Sequence, residues 1–376
     1  MDIAREYHLK SLFTRELFEI YFLLITRALS FSMIGIFIPL YLFVELSYSL
    51  NWVIYYYLAF ILSFFLFQYI ATFVIMRFGA KHSMITGVFF TIGMIFLIYF
   101  LRDYSFLFFP AAIFYGIQGA FFWMGFHIDA VLKGRKRDFG KESAIIETGL
   151  ILPSIIGPIV GGLLIKFFGF GALYGVAICI LIVSFIPLLF SKEVYAREKL
   201  NLKSFFDKDH LKYFFIYFAQ GIGFISGHVF WTLFIFAVIG GYLSMGVYGS
   251  VATLLVCLIT LFIGKVVDEG KKSKFVVRLG TGFNILFWIL KIFVSNIFQV
   301  FAVGTLRSAA SHVIDVPFLA KTYSTAKGHK AISHILFRET CLRIGQIFCL
   351  VLVLIIGKIE SSFIISAIAS VAFFFF

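Results

Sequence analysis

The residues able to do chemistry are the few charged or ionisable groups that fall inside long apolar runs. Arg27, Glu147, Arg307, Arg338, Glu339 and Arg343 all lie in such runs, and His127 and His312 lie close to their ends. A charge in hydrocarbon is costly, so each of these groups needs a partner or a wet cavity. His127 and Glu147 fall at matching depths on consecutive runs, about five and seven residues from the same end, and His312 and Glu339 are similarly matched later in the chain. A His–carboxylate pair in a low-dielectric site can hold or release a proton near neutral pH, because each partner stabilises the other's charge while burial opposes both. His127 with Glu147, and then His312 with Glu339, are therefore candidates for proton coupling or for a gate. The alternative is a latch that ties helices together in one conformation. Glu339 and Arg343, four residues apart on one helical face, can also neutralise each other.

The elements that carry these groups follow from composition. Hydrophobic residues make up 61% of the 376 positions and charged residues 14%, with a mean hydropathy of +1.02. No water-soluble shell can be built from such a chain. The apolar runs are each about 20 residues, the length that crosses ~30 Å of hydrocarbon as a helix, whereas a β-barrel needs short alternating strands. The expected fold is an all-α polytopic membrane protein of twelve transmembrane helices, the first over about 17–45 and the last over about 360–376.

A net charge of +13 raises the question of nucleic acid. The location of the charge answers it: 24 of the 32 Lys and Arg residues lie in the N-terminal lead and in alternate connections. That is the positive-inside bias of a membrane protein, and it sets both termini in the cytoplasm of a cell-membrane protein. The N-terminal residues lack a cleavage-type signal and read as a mature cytoplasmic lead-in. Cys179, Cys257, Cys341 and Cys349 all fall in apolar runs without a CxxC pair, so neither a metal site nor a cofactor is expected.

The longest polar segment, 191–210, divides the chain into 1–190 and 211–376, two bundles of six helices. Features recur between them at nearly one offset: Gly79 with Gly270 at 191 positions, Glu147-Thr148 with Glu339-Thr340 and Lys166 with Lys358 at 192. The halves read as parallel repeats. Within the first, the stretch from Glu147 to Lys166 carries Pro153, Gly157, Pro158, Gly161 and Gly162, residues that break a soluble helix but that lipid tolerates and close helix packing uses.

These patterns resemble the major facilitator superfamily of secondary transporters over the whole chain. Its loop pattern Gly-x-x-x-Asp-Arg-x-Gly-Arg-Lys is approached by Gly264, Asp268, Gly270, Lys271 and Lys272. The first copy keeps Arg77, Gly79 and Lys81 but has Met76 in place of the acid. The fifth-span pattern of efflux members, Gly-x-x-x-Gly-Pro-x-x-Gly-Gly, is matched at Gly157, Pro158, Gly161 and Gly162, with Pro153 in place of the first Gly. The fourth-span Arg-x-x-Gln-Gly appears as Tyr115, Gln118 and Gly119, and Arg307 stands 192 positions after that tyrosine.

The resemblance implies that spans one, four, seven and ten line a central cavity, which makes Arg27, Gln118, Trp123, His228, Trp231 and Arg307 candidate lining residues. It implies loop contacts at Asp268 that hold one conformation, and alternating access by a monomer that handles a small-molecule substrate, with protons as a possible coupling ion. The fifth-span glycines favour export of a small amphipathic compound, as in a proton-linked antiporter. The second reading is an importer or exchanger of an anionic solute held by Arg27 and Arg307. From other classes, a membrane enzyme would need a compact constellation, yet no HExxH, GxSxG or phosphate-cradling loop is present. A non-transporting receptor or scaffold is the remaining alternative.

Overall fold

The computed structural model describes residues 15–133, 139–189, 200, 205, 208–268, 273–326 and 331–375, with a few stretches, among them 139–151 and 260–268, described by backbone alone. The described residues are almost all helical, joined by short turns. Helix α1 spans Arg15–Gly35 and continues through Phe37–Leu40 and a π turn at Tyr41–Glu45. It is followed by α2 (Leu50–Phe78), α3 (Ala80–Phe100) and α4 (Phe108–Lys133). The continuous helical stretch Phe139–Leu189 is bent at Gly169 into two arms, α5 (139–168) and α6 (170–189). Then come α7 (Lys208–Ile225, prolonged by a π turn at Ser226–Phe230 and by Trp231–Ile239) and α8 (Tyr242–Asp268). The last four are α9 (Ser273–Leu290), α10 (Ile297–Ala326), α11 (Ala331–Ile356) and α12 (Glu360–Ser370).

Among the described residues, ten helical stretches are long and apolar enough to cross a membrane. One of them, Leu152–Ser184, runs through the bend at Gly169, and a shorter apolar helix, Glu360–Phe375, ends the chain. Each arm of the bent stretch is at least about 30 Å long at 1.5 Å per residue, enough to span hydrocarbon alone. Counting both arms and the short terminal helix gives the twelve labels. Turns between consecutive rods are tight. Gly79 joins α2 to α3 with φ at 96°, a conformation that a side chain would strain, and its N–H is 2.9 Å from the Ile75 carbonyl.

Burial is inverted relative to a soluble protein. Phe73, Phe106, Phe298 and Ile355 are exposed, whereas Arg27, Lys291, Arg338, Glu339 and Arg343 are buried. Apolar residues facing lipid lose nothing, so helix association rests on close packing and polar contacts rather than on the hydrophobic effect.

The packing pairs recur with a shift of six helices. α1 packs on α5, α2 and α3 on α4, α7 on α11, and α8 and α9 on α10. The groups meet mainly through α2 with α11 and α5 with α8, with further contacts of α4 with α10 and α11. The segment 191–210 lies almost wholly outside the described residues, with α7 already begun at Lys208.

The fifth-span glycines work in two pairs on two faces. A side chain at Gly157 or Gly161 would collide with Ser32 or with the Met33 carbonyl on α1. One residue further round, Gly162 lies so close to α8 that a Cβ would be 3.0 Å from the Tyr242 carbonyl, and a Cβ at Gly246 would strike the Pro158 carbonyl. Gly157 and Gly161 therefore set the distance to α1 within the first group, while Pro158 and Gly162 set the contact with the second.

Candidate functional site

Three clusters of polar groups lie among the helices, one within the first group, one within the second and one across the boundary between them. The first is on α1 and α4. Arg27, 5% exposed, donates from Nη2 to Gln118 Oε1 at 2.9 Å, and the Thr91 hydroxyl donates to the same oxygen at 3.2 Å. The guanidinium also lies 3.5 Å from the Phe122 ring centre, 4.2 Å from Phe31 and 5.6 Å from Trp123. Its Nε has no hydrogen-bond partner, and among the described residues no carboxylate pairs with it. Cation–π contacts and one amide take the place of a counter-ion.

The second cluster is on α7, α9 and α10. Arg307 stacks 4.3 Å from the Trp288 ring centre, with Gly223 and Gly227 on α7 leaving room for its two terminal nitrogens. Its Nε also lacks a partner. His228, on the π turn of α7, has an exposed side chain within the field of the Arg307 charge. Trp231 is buried and donates from Nε1 to the Tyr248 hydroxyl at 3.2 Å. Asp315, the acid of α10, acts on Arg307 through its charge but makes no ion pair with it: it accepts from Gln220 Nε2 at 2.8 Å and from the Ser311 hydroxyl at 2.8 Å.

The third cluster lies toward the side at which the basic connections emerge. Glu339 Oε2 accepts from Arg343 Nη2 at 2.8 Å, and Oε1 is bound by Arg338 Nη1. One carboxylate thus answers two arginines of its own helix. The i,i+4 pairing of Glu339 with Arg343 is as the sequence spacing predicts. The same Oε1 is 3.8 Å from His127 Nε2 on α4.

Arg338 Nη1 is 3.3 Å from that Nε2, and His127 Nδ1 is 2.7 Å from the Tyr323 hydroxyl on α10. Arginine can only donate, so a hydrogen bond from Arg338 to this ring requires its neutral form with Nε2 as the acceptor. Close by, Gln68 Nε2 on α2 donates to the Thr340 hydroxyl at 3.1 Å, and Arg343 stacks 3.8 Å from Phe64. Trp123 connects the first cluster to the third: its ring stacks on His127 at 5.6 Å and flanks Arg27.

On the opposite side, Tyr242 at the start of α8 closes the boundary. Its hydroxyl donates to Glu45 at 3.3 Å, and its ring meets Phe37 at 6.5 Å and Phe170 at 5.2 Å. The two groups of helices therefore touch at both ends.

The candidates read from sequence are distributed as follows. Arg27, Gln118 and Trp123 come together, as do His228, Trp231 and Arg307. His127 and Glu339, expected in separate pairs, meet each other. His312 is exposed, its Nδ1 2.9 Å from the Ser308 carbonyl of its own helix, and the structure does not bring it to Glu339. The side chain of Glu147, like Gly264, Asp268 and Gly270 of the loop motif, lies outside the described residues. Four participants were missed. Arg338 and Tyr323 hold the His127 cluster, and Lys291 and Trp288 line the Arg307 cluster; a Trp three residues before a Lys at a run's end was the available signal for the last pair.

Long apolar helices in two groups that enclose charged and polar side chains are the architecture of polytopic membrane carriers. The sequence profile described as Major Facilitator Superfamily matches residues 20–290, and this chain belongs to that superfamily of transporters. No curated protein matches the sequence.

Solved structures with a similar fold include the superfamily transporter FucP in its outward conformation, 13% identical with a TM-score of 0.70, covering 95% of this chain and 96% of that one. A POT family transporter in complex with a thioalcohol-conjugated peptide is 12% identical with a TM-score of 0.73, covering 96% and 94%. The nucleoside transporter NupG is 16% identical with a TM-score of 0.66, covering 96% and 98%. At these identities the likeness concerns the fold.

Proposed function

We propose that the chain is a secondary active transporter that moves a small organic anion by alternating access, the two six-helix groups rocking about the line between Arg27 and Arg307. One observation carries the anionic reading: the buried Arg27 and the half-buried Arg307, one from each group of helices, lie against aromatic rings and make no ion pair with a carboxylate among the described residues, although the charge of Asp315 reaches Arg307. Aromatic faces take the place of water there, and a negative charge is to be supplied by the solute. The cluster of His127, Tyr323, Arg338 and Glu339 acts as the gate on the basic, cytoplasmic side, and Tyr242 with Glu45 acts as the gate on the other. Trp123, touching both His127 and Arg27, relays occupancy of the site to the first gate.

A second reading has its own support. The cavity candidates are flanked by Trp123, Trp231 and Phe122, and α5 carries the paired close contacts described above, which favours proton-linked export of a neutral amphipathic compound. The two readings part on one experiment. In proteoliposomes, replacing Arg27 and Arg307 together by Gln abolishes flux of an organic anion, whereas a neutral substrate is carried with flux unchanged.

A further inference from the structure

Lys291 stands at the end of α9, where a charge ordinarily turns toward the headgroups. Here it is 1% exposed. Its Nζ lies 4.0 Å from the Trp231 ring centre and 4.2 Å from that of Trp288, and no acid among the described residues pairs with it. Arg307 stacks on the same Trp288 ring at 4.3 Å. Two cationic centres thus share one indole, separated by no more than the sum of those two distances.

Most polar groups that meet them are donors, although the Asp315 carboxylate lies within range of the Arg307 charge. Trp288 is 0% exposed and its Nε1–H is without a partner, as is the Nε–H of Arg307. The Tyr248 hydroxyl already accepts from Trp231 Nε1, which leaves its own proton to give. Asp315 spends its oxygens on Gln220 and Ser311. Like charges at this separation in low dielectric repel strongly, and unpaired buried donors add a desolvation cost. An anion supplied from outside removes both costs at once.

We infer that Lys291, Arg307, Trp288 and Tyr248 form an anion-binding subsite that takes the carboxylate of a small organic acid, with Trp231 and Trp288 as the walls for its apolar body. The carboxylate accepts from the two cations and from the indole and phenol protons. The flat apolar walls favour an aromatic or short aliphatic acid over a fully hydrated inorganic anion. The site belongs to the second group of helices alone. This deepens the anion reading of the transporter and rests on it for its physiological meaning, but binding itself can be read without transport.

The test uses the purified full chain in lipid nanodiscs, with benzoate as probe, inorganic phosphate as second probe, and chloride at matched ionic strength as control. Thermal unfolding is followed, because a ligand of the folded state raises apparent stability with concentration. Benzoate is expected to give a saturable upward shift that phosphate and chloride do not give. Lys291→Met, which fills the same space without charge, weakens benzoate affinity about tenfold or more, and Lys291→Arg retains it. No shift with benzoate beyond chloride, a phosphate effect larger than that of benzoate, or unchanged benzoate binding in a folded Lys291→Met protein would overturn the subsite. Benzoate binding without any flux in vesicles would leave the subsite standing and sink the transporter reading instead.

Discussion

His127 on α4 and Glu339 on α11 face each other at 3.8 Å across the boundary between the two groups of helices, with Arg338 touching both. The contact joins helices that must separate if the basic side is to open. Glu339 pairs with two buried arginines, so its removal leaves charge uncompensated. Glu339→Gln is expected to destabilise the folded protein by about 3–5 kcal/mol, the range for breaking a buried ion pair by removing one partner. Thermal or chemical unfolding in detergent reads this, and a variant as stable as the parent contradicts the arrangement.

The neighbouring contact between Gln68 on α2 and Thr340 on α11 offers a reversible lock. Cysteines at these two positions, in a background without the four native ones, should cross-link readily and stop flux in proteoliposomes, with reduction restoring it. Efficient cross-linking with full flux would mean that α2 and α11 stay together through the cycle, and the gate would have to lie elsewhere.

The glycines of α5 separate stability from conformational bias. Gly157→Ala pushes α1 and α5 apart within one group, and is expected to cost roughly 1–3 kcal/mol of stability as an overpacked contact. Gly246→Ala strikes α5 from α8 across the boundary, so it should change which side is open while costing less stability. Labelling of single cysteines at either end of the boundary reports the bias. An identical labelling pattern in the Gly246→Ala protein and the parent would contradict the role given to this contact.

Much of the fold could be read from the residues, because hydrocarbon thickness and apolar run length set where helices begin and end. The bend at Gly169 and the tight turn at Gly79 both fall between runs already separated by composition. The site was read less fully. Depth along a helix follows from position in a run, which is why His127 and Glu339 were singled out. Azimuth and neighbours do not, which is why each was matched to a residue of its own half. A lysine at the end of an apolar run, such as Lys291, reads as a side chain that reaches water; only the tertiary arrangement of Trp231 and Trp288 turns it inward.

The account stands on a solute that completes the charge between Arg27 and Arg307. Uptake of radiolabelled benzoate into proteoliposomes, driven by its own gradient, measures this directly in the parent and in the Arg27→Gln/Arg307→Gln double variant. Flux in the parent that falls to the level of empty vesicles in a folded double variant is the predicted result. Equal flux in both proteins, or flux only of neutral amphipathic compounds, would contradict it.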